Sequence, residues 1–109
     1  MNSSVLGDKV VFVIVVTYRR KNYLEQVLQS IFSQSYIISK VIVVDNNSQD
    51  GTDEVVSRFI KDKKSVDVQY VNTGKNLGGA GGFEYGVKIV DALHYDYLWL
   101  MDDQGGSTL

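Results

Sequence analysis

The chain has 109 residues, with 11 Lys and Arg against 13 Asp and Glu and a formal net charge of −2. That slight acidity excludes a basic nucleic-acid footprint, and the absence of cysteine excludes a disulfide framework, a thiol nucleophile and a Cys-based zinc site. The single His94 cannot build a histidine cluster for zinc, and the length suits one domain over residues 1–109 with a modest core.

The first element is Val10–Val16, β-branched and apolar on both faces, as a strand buried inside a parallel sheet should be. It is too short to span a bilayer. Thr17-Tyr18-Arg19-Arg20 follows where a signal peptide needs small residues for cleavage, so the chain reads as cytoplasmic, with peripheral membrane association left open for a longer protein. Leu24, Val27, Leu28, Ile31 and Phe32 recur at steps of three and four and predict an amphipathic helix. Val41–Val44 repeats the buried-strand signature. Thr52 then reads as an N-cap, with Asp53 and Glu54 set against the helix dipole, ahead of the stripe Val55, Val56, Phe59 and Ile60. Val66–Val71 alternates, with Val66, Val68 and Tyr70 on one face, and predicts a half-exposed edge strand. Phe83, Gly86, Val87, Val90 and Leu93 outline a third helix, and Tyr97–Met101 a last strand.

Four strands interleaved with three helices define an α/β, Rossmann-like parallel sheet with right-handed crossovers. The expected strand order is 3-2-1-4. The first two crossovers move one way, and the third must return past strand one.

Ligands in such sheets bind outside the carboxyl ends of the strands, where strand order switches. Those ends read Thr17-Tyr18-Arg19-Arg20, then Asp45-Asn46-Asn47-Ser48-Gln49-Asp50-Gly51-Thr52, then Asn72-Thr73-Gly74-Lys75-Asn76, then Asp102-Asp103-Gln104. Any one of them is an ordinary capped loop. Four polar ends on one rim point to a polar ligand.

The run Leu77-Gly78-Gly79-Ala80-Gly81-Gly82 is no dinucleotide fingerprint, because Glu84 stands where the last glycine belongs and the run follows the third strand. It reads as flexible backbone entering a helix, whose amides can meet phosphate or ribose oxygens, or equally as a tight loop for close helix–sheet packing. Asp102 and Asp103 read either as a solvated turn or as hard oxygen ligands for magnesium or manganese on a diphosphate. Arg19, Arg20 and Lys75 are candidates to neutralise phosphate.

These residues resemble the N-terminal, nucleotide-binding part of a family 2 glycosyltransferase with the GT-A fold. Val15-Val16-Thr17-Tyr18 with Arg20 and Leu24 is similar to the family's opening motif, with Arg19 where asparagine is usual. Val43 to Thr52 resembles its second motif closely. Asn76 to Phe83 is similar to the version in galactofuranosyl- and rhamnosyltransferase-like members, and Tyr97 to Asp103 resembles the run into the DXD motif.

The resemblance implies a nucleobase pocket lined by Thr17 and Tyr18, with Asp45 hydrogen-bonding the base, commonly uracil. Arg20 falls in the same site, Asn76, Gly78 and Gly79 lie near ribose and phosphates, and Asp102 faces the nucleotide. It further implies a divalent metal, Mg or Mn, on Asp102 and Asp103. Gln104 departs from the third DXD acid, and a neutral amide is a poorer ligand for a hard dication. The implied donor is a UDP- or dTDP-sugar and the implied acceptor a glycan or glycolipid of the cell surface.

A catalytic base for an inverting transfer is expected in a C-terminal half, and no residue here takes that role. The expectation is therefore a truncated glycosyltransferase that binds donor but is inactive alone. The alternative is a non-catalytic nucleotide-binding or assembly module. A nucleotidyltransferase would want glycines after strand one, which Thr17–Arg20 lacks. The last strand is also expected to leave an apolar edge through which copies pair into a homo-oligomer.

Overall fold

The structure, a computed structural model, describes residues 9–33, 38–62 and 66–102. Its elements run β1 (Val11–Thr17), α1 (Lys21–Phe32), β2 (Lys40–Asp45), α2 (Thr52–Asp62), β3 (Asp67–Asn72), α3 (Gly78–Val90) and β4 (Tyr97–Asp102). All strand pairs are parallel, and the sheet order is β3-β2-β1-β4, as the crossover argument requires.

Strand alternation divides the core in two. Val11, Val13 and Val15 face α1 and α2, where they meet Leu24, Leu28, Ile31, Val55, Val56 and Phe59. Phe12, Ile14 and Val16 point the other way, with Ile42, Val44 and Val90, against the side of α3 that carries Phe83 and Val87. β1 is therefore apolar from Val11 to Val16 because neither face meets water along that stretch. Each such side chain contributes about 1.5–3 kcal/mol of burial free energy. β3 stands at the sheet edge, and Val66, Val68 and Tyr70 do share the α1/α2 face.

Several expectations need correction. The first strand begins at Val11 rather than Val10, because the Val10 amide donates to the Asp96 carboxylate at 2.7 Å. Thr52 is the first residue of α2, not its cap. The Asp50 carboxylate accepts from the Thr52 amide at 3.3 Å and from its hydroxyl at 2.5 Å, while the Gly51 carbonyl takes the first helical bond from Val55. Ile60 is 40% exposed, on the outer side of α2. Leu93 lies beyond the end of α3, in a turn closed by its amide on the Val90 carbonyl, and is 46% exposed.

The glycine run is not a loop. Gly78, Gly79, Gly81 and Gly82 belong to the first turns of α3. Gly82 and Gly86 lie on the side of α3 facing the sheet. A Cβ at Gly82 would fall 2.7 Å from Val16 Cγ1, so these glycines let the helix settle onto β1.

Candidate functional site

The register sets the rim. Thr17 pairs with Asp45 on one side of β1, and Val16 pairs with Asp102 on the other. The ends of β2, β1 and β4 thus lie abreast, and the N-terminus of α3 arrives over them.

A cleft of about 340 Å³ opens there, lined by Val16, Thr17, Tyr18, Arg20, Asn46, Asn76, Gly78, Gly79 and Asp102. Thr17, Tyr18, Arg20, Asn76, Gly78, Gly79 and Asp102, all singled out in the sequence, meet in this one space. Tyr18 presents a ring that is 38% exposed, and the Arg19 guanidinium lies 5.5 Å from its centroid. Arg20 supplies a cation to the cleft wall. Gly78 holds φ +76 at the helix start, its amide donating to Asn76 Oδ1 at 2.9 Å. A Cβ on Gly79 would meet nothing within 4 Å, so the backbone is open to the cleft at that point. Lys75 lies in the preceding loop and does not line the space. A hollow of about 450 Å³ also lies between α1 and α2, lined by Glu25, Gln29, Phe32, Ser33, Arg58, Phe59 and Asp62, and takes no rim residue.

Asp45 is placed differently from the other candidates. It is 1% exposed and does not line the cleft. Its Oδ1 accepts from the Ser48 amide at 3.0 Å and the Ser48 hydroxyl at 2.6 Å, and its Oδ2 accepts from the Tyr70 hydroxyl at 2.6 Å. The reason is alternation along β2. Val41, Val43 and Asp45 share the α1/α2 face, whereas Ile42, Val44 and then Asn46 share the α3 face where the cleft opens.

Asn46 is therefore a wall residue that sequence reading passed over. Its Nδ2 donates to the Gly78 carbonyl at 3.0 Å, and its Oδ1 accepts from the Leu77 amide at 3.4 Å, bracing the end of β2 against the start of α3. The period-two pattern of β2 carried the signal for it. Ser48 was also detectable, since Asp followed three residues later by Ser is a common turn-closing pair.

Asp102 borders the cleft and a second hollow with Tyr23, Gln26, Val27, Ser30 and Met101. Asp103 and Gln104 lie outside the described residues. Among the described residues there is no group of three or more His, Asp or Glu side chains able to hold a metal. Asp102 is then one hard oxygen donor, which fits a dication completed by diphosphate oxygens rather than an all-protein cage. No helix among the described residues is long and apolar enough to cross a membrane.

A parallel sheet of order 3-2-1-4, with helices on both faces and a polar cleft over the ends of β1 and β4, is an α/β, Rossmann-like fold. The family model for glycosyl transferase family 2 matches residues 12–104, and the chain belongs to that family. It is 38% identical over 97 residues to galactofuranosyltransferase GlfT1 of Mycolicibacterium smegmatis, covering 89% of this chain and 30% of that protein. It is 31% identical over 88 residues to abequosyltransferase RfbV of Salmonella typhimurium, covering 79% of this chain and 25% of that protein. Among solved structures, mannosyltransferase PcManGT of Pyrobaculum calidifontis, in complex with GDP-Man and Mn2+, superposes with a TM-score of 0.77 at 26% identity. That match covers 87% of this chain and 27% of the other. The fold also matches S. aureus TarS in complex with UDP, at a TM-score of 0.69, 23% identity, 86% of this chain and 27% of the other. The chain thus spans about 30% of the length of the galactofuranosyltransferase relatives it matches.

Proposed function

We propose that this chain is the donor-binding part of a glycosyltransferase that moves a sugar from a nucleoside diphosphate to a glycan or glycolipid acceptor of the cell surface. The observation that carries the reading is the cleft itself, which joins an aromatic ring, a cation, an open helix start and a carboxylate in one space. Tyr18 offers a face for the base, Thr17 a hydroxyl beside it, and Arg20 a charge for the diphosphate. The first turn of α3, bare of side chains at Gly78 and Gly79, lets phosphate or ribose approach the backbone. Asn76 and Asn46 close that side with neutral amides. Asp102 would hold Mg or Mn together with the diphosphate, and such an ion neutralises charge on a leaving diphosphate.

In this reading Asp45 supports the base-side wall from behind instead of touching the base. The relatives' names, a galactofuranosyltransferase and an abequosyltransferase, support transfer of a sugar, and the solved complexes with GDP-Man and UDP support nucleotide-type donors. The edge position of β4, with Tyr97 44% exposed, supports self-association of the isolated chain. A monomer by light scattering at tens of micromolar (about the range where edge pairing tells) removes that part.

Calorimetric titration with UDP, GDP and their sugar conjugates, with manganese present, tests the main reading. Saturable binding of at least one of them is expected, without sugar transfer by this chain alone. Absence of binding to all of them overturns it.

A further inference from the structure

The β1–α1 loop brings Tyr18 and Arg20 to the cleft, and the residue between them is strained. Arg19 holds φ +53, in the left-handed region that a residue with a β-carbon seldom adopts. Its amide donates to Ser48 Oγ at 2.7 Å. The Ser48 hydroxyl donates in turn to Asp45 Oδ1 at 2.6 Å, and the other Asp45 oxygen accepts from the Tyr70 hydroxyl at 2.6 Å.

The polarity of this chain of bonds is forced. A carboxylate only accepts, so the one proton of Ser48 must point at Asp45, which leaves the Ser48 lone pairs for the Arg19 amide. Ser48 and Asp45 are each 1% exposed, so water is a poor substitute for any member. The chain starts on edge strand β3, passes the end of β2 and finishes on the loop after β1. None of Tyr70, Asp45, Ser48 and Arg19 lines the cleft.

We propose that Tyr70, Asp45 and Ser48 form a positioning relay that locks Arg19 in its left-handed conformation and thereby aims Tyr18 and Arg20 at a nucleoside diphosphate. Tyr70 and Ser48 both donate to the Asp45 carboxylate, so Tyr70 acts by fixing the orientation of that group, and losing its hydroxyl lets Asp45 turn and loosens its hold on Ser48 and Arg19. These are positioning residues, acting on the ligand only through the loop. The inference rests on the cleft's being a nucleotide site.

The test uses the whole chain with UDP as probe, amide NMR and calorimetry. In the unsubstituted chain the Arg19 amide proton resonates far downfield, as its short bond requires. Tyr70→Phe, which deletes one oxygen at a half-buried position, shifts that resonance upfield and weakens UDP binding about 2–30-fold, the range of coupling through such networks. Ser48→Ala weakens binding further. Arg19→Gly reaches positive φ without a β-carbon clash, so Ser48→Ala costs less affinity in the Arg19→Gly background than in its absence.

An unmoved Arg19 resonance in Tyr70→Phe, or equal losses for Ser48→Ala in both backgrounds, overturns the relay. If the unsubstituted chain binds neither UDP nor GDP, the nucleotide reading fails on its own. The Arg19 resonance then still decides whether the four groups are coupled. Should Ser48→Ala fold poorly, Tyr70→Phe carries the measurement.

Discussion

Gly86 rests on Ile14 so closely that a Cβ added to it would lie 2.7 Å from Ile14 Cγ2 and 3.2 Å from both Ile14 Cδ1 and Val44 Cγ2. All three neighbours are side-chain atoms of fully buried residues on the central strands, with little room to give. Gly86→Ala should therefore lose about 1–2 kcal/mol of stability, since overpacking outweighs the gain in helix propensity. Gly79→Ala, in the same helix with nothing near the added carbon, should gain about 0.5–1 kcal/mol. Urea denaturation of the two variants checks the contrast, and equal effects would mean that α3 does not bear on β1 as described.

Tyr70 gives a pH signature. Its phenol is pushed above the ordinary value of 10.0, first by burial and then by its hydrogen bond to the Asp45 carboxylate and that group's charge. The folded state thus keeps the proton to higher pH than the unfolded state does. The associated stability is complete below about pH 10 and is lost as pH rises from there toward the folded-state value. Between about pH 9 and pH 11 the unsubstituted chain should lose stability more steeply than Tyr70→Phe, in which the remaining tyrosines cancel from the comparison. Parallel slopes would show that Tyr70 is not held by Asp45.

Arg20 is the cleft's cation. Arg20→Ala should weaken UDP binding about 10-fold or more, the usual worth of a hydrogen bond to a charged group. The gap between the two proteins should narrow as salt rises toward 1 M, because the interaction is partly exposed and screened. A salt-independent loss would instead point to a packing role for its stem.

Asp102 divides metal dependence from nucleotide dependence. With manganese present, UDP should bind the unsubstituted chain more tightly than with a chelator, and Asp102→Asn should abolish that difference. Binding in chelator should be equal or slightly better in Asp102→Asn, because a negative charge beside the diphosphate is gone. Retention of the manganese effect would place the ion on other ligands.

Much of this architecture was written in local pattern. Seven apolar β-branched and aromatic residues from Val10 to Val16 read as a strand covered on both faces, and the interleaving of strand and helix periods pointed to a parallel sheet. From there the crossover argument reached the order 3-2-1-4, and the polar strand ends named most of the cleft. Three-dimensional packing decided the rest. Whether Asp45 or Asn46 faces the cleft depends on a single step of strand alternation at the point where β2 ends, and on which face α3 covers. The partnership of Tyr70 with Asp45 spans 25 positions and exists only because β3 pairs with β2 in one register. The glycine run became helix because close contact of Gly82 with Val16 offsets its weak propensity, and tertiary contact of that kind is not encoded in the run itself. Periodicity is a property of neighbours along the chain, so it fixes elements and faces. Which buried polar group meets which partner is a property of neighbours across it.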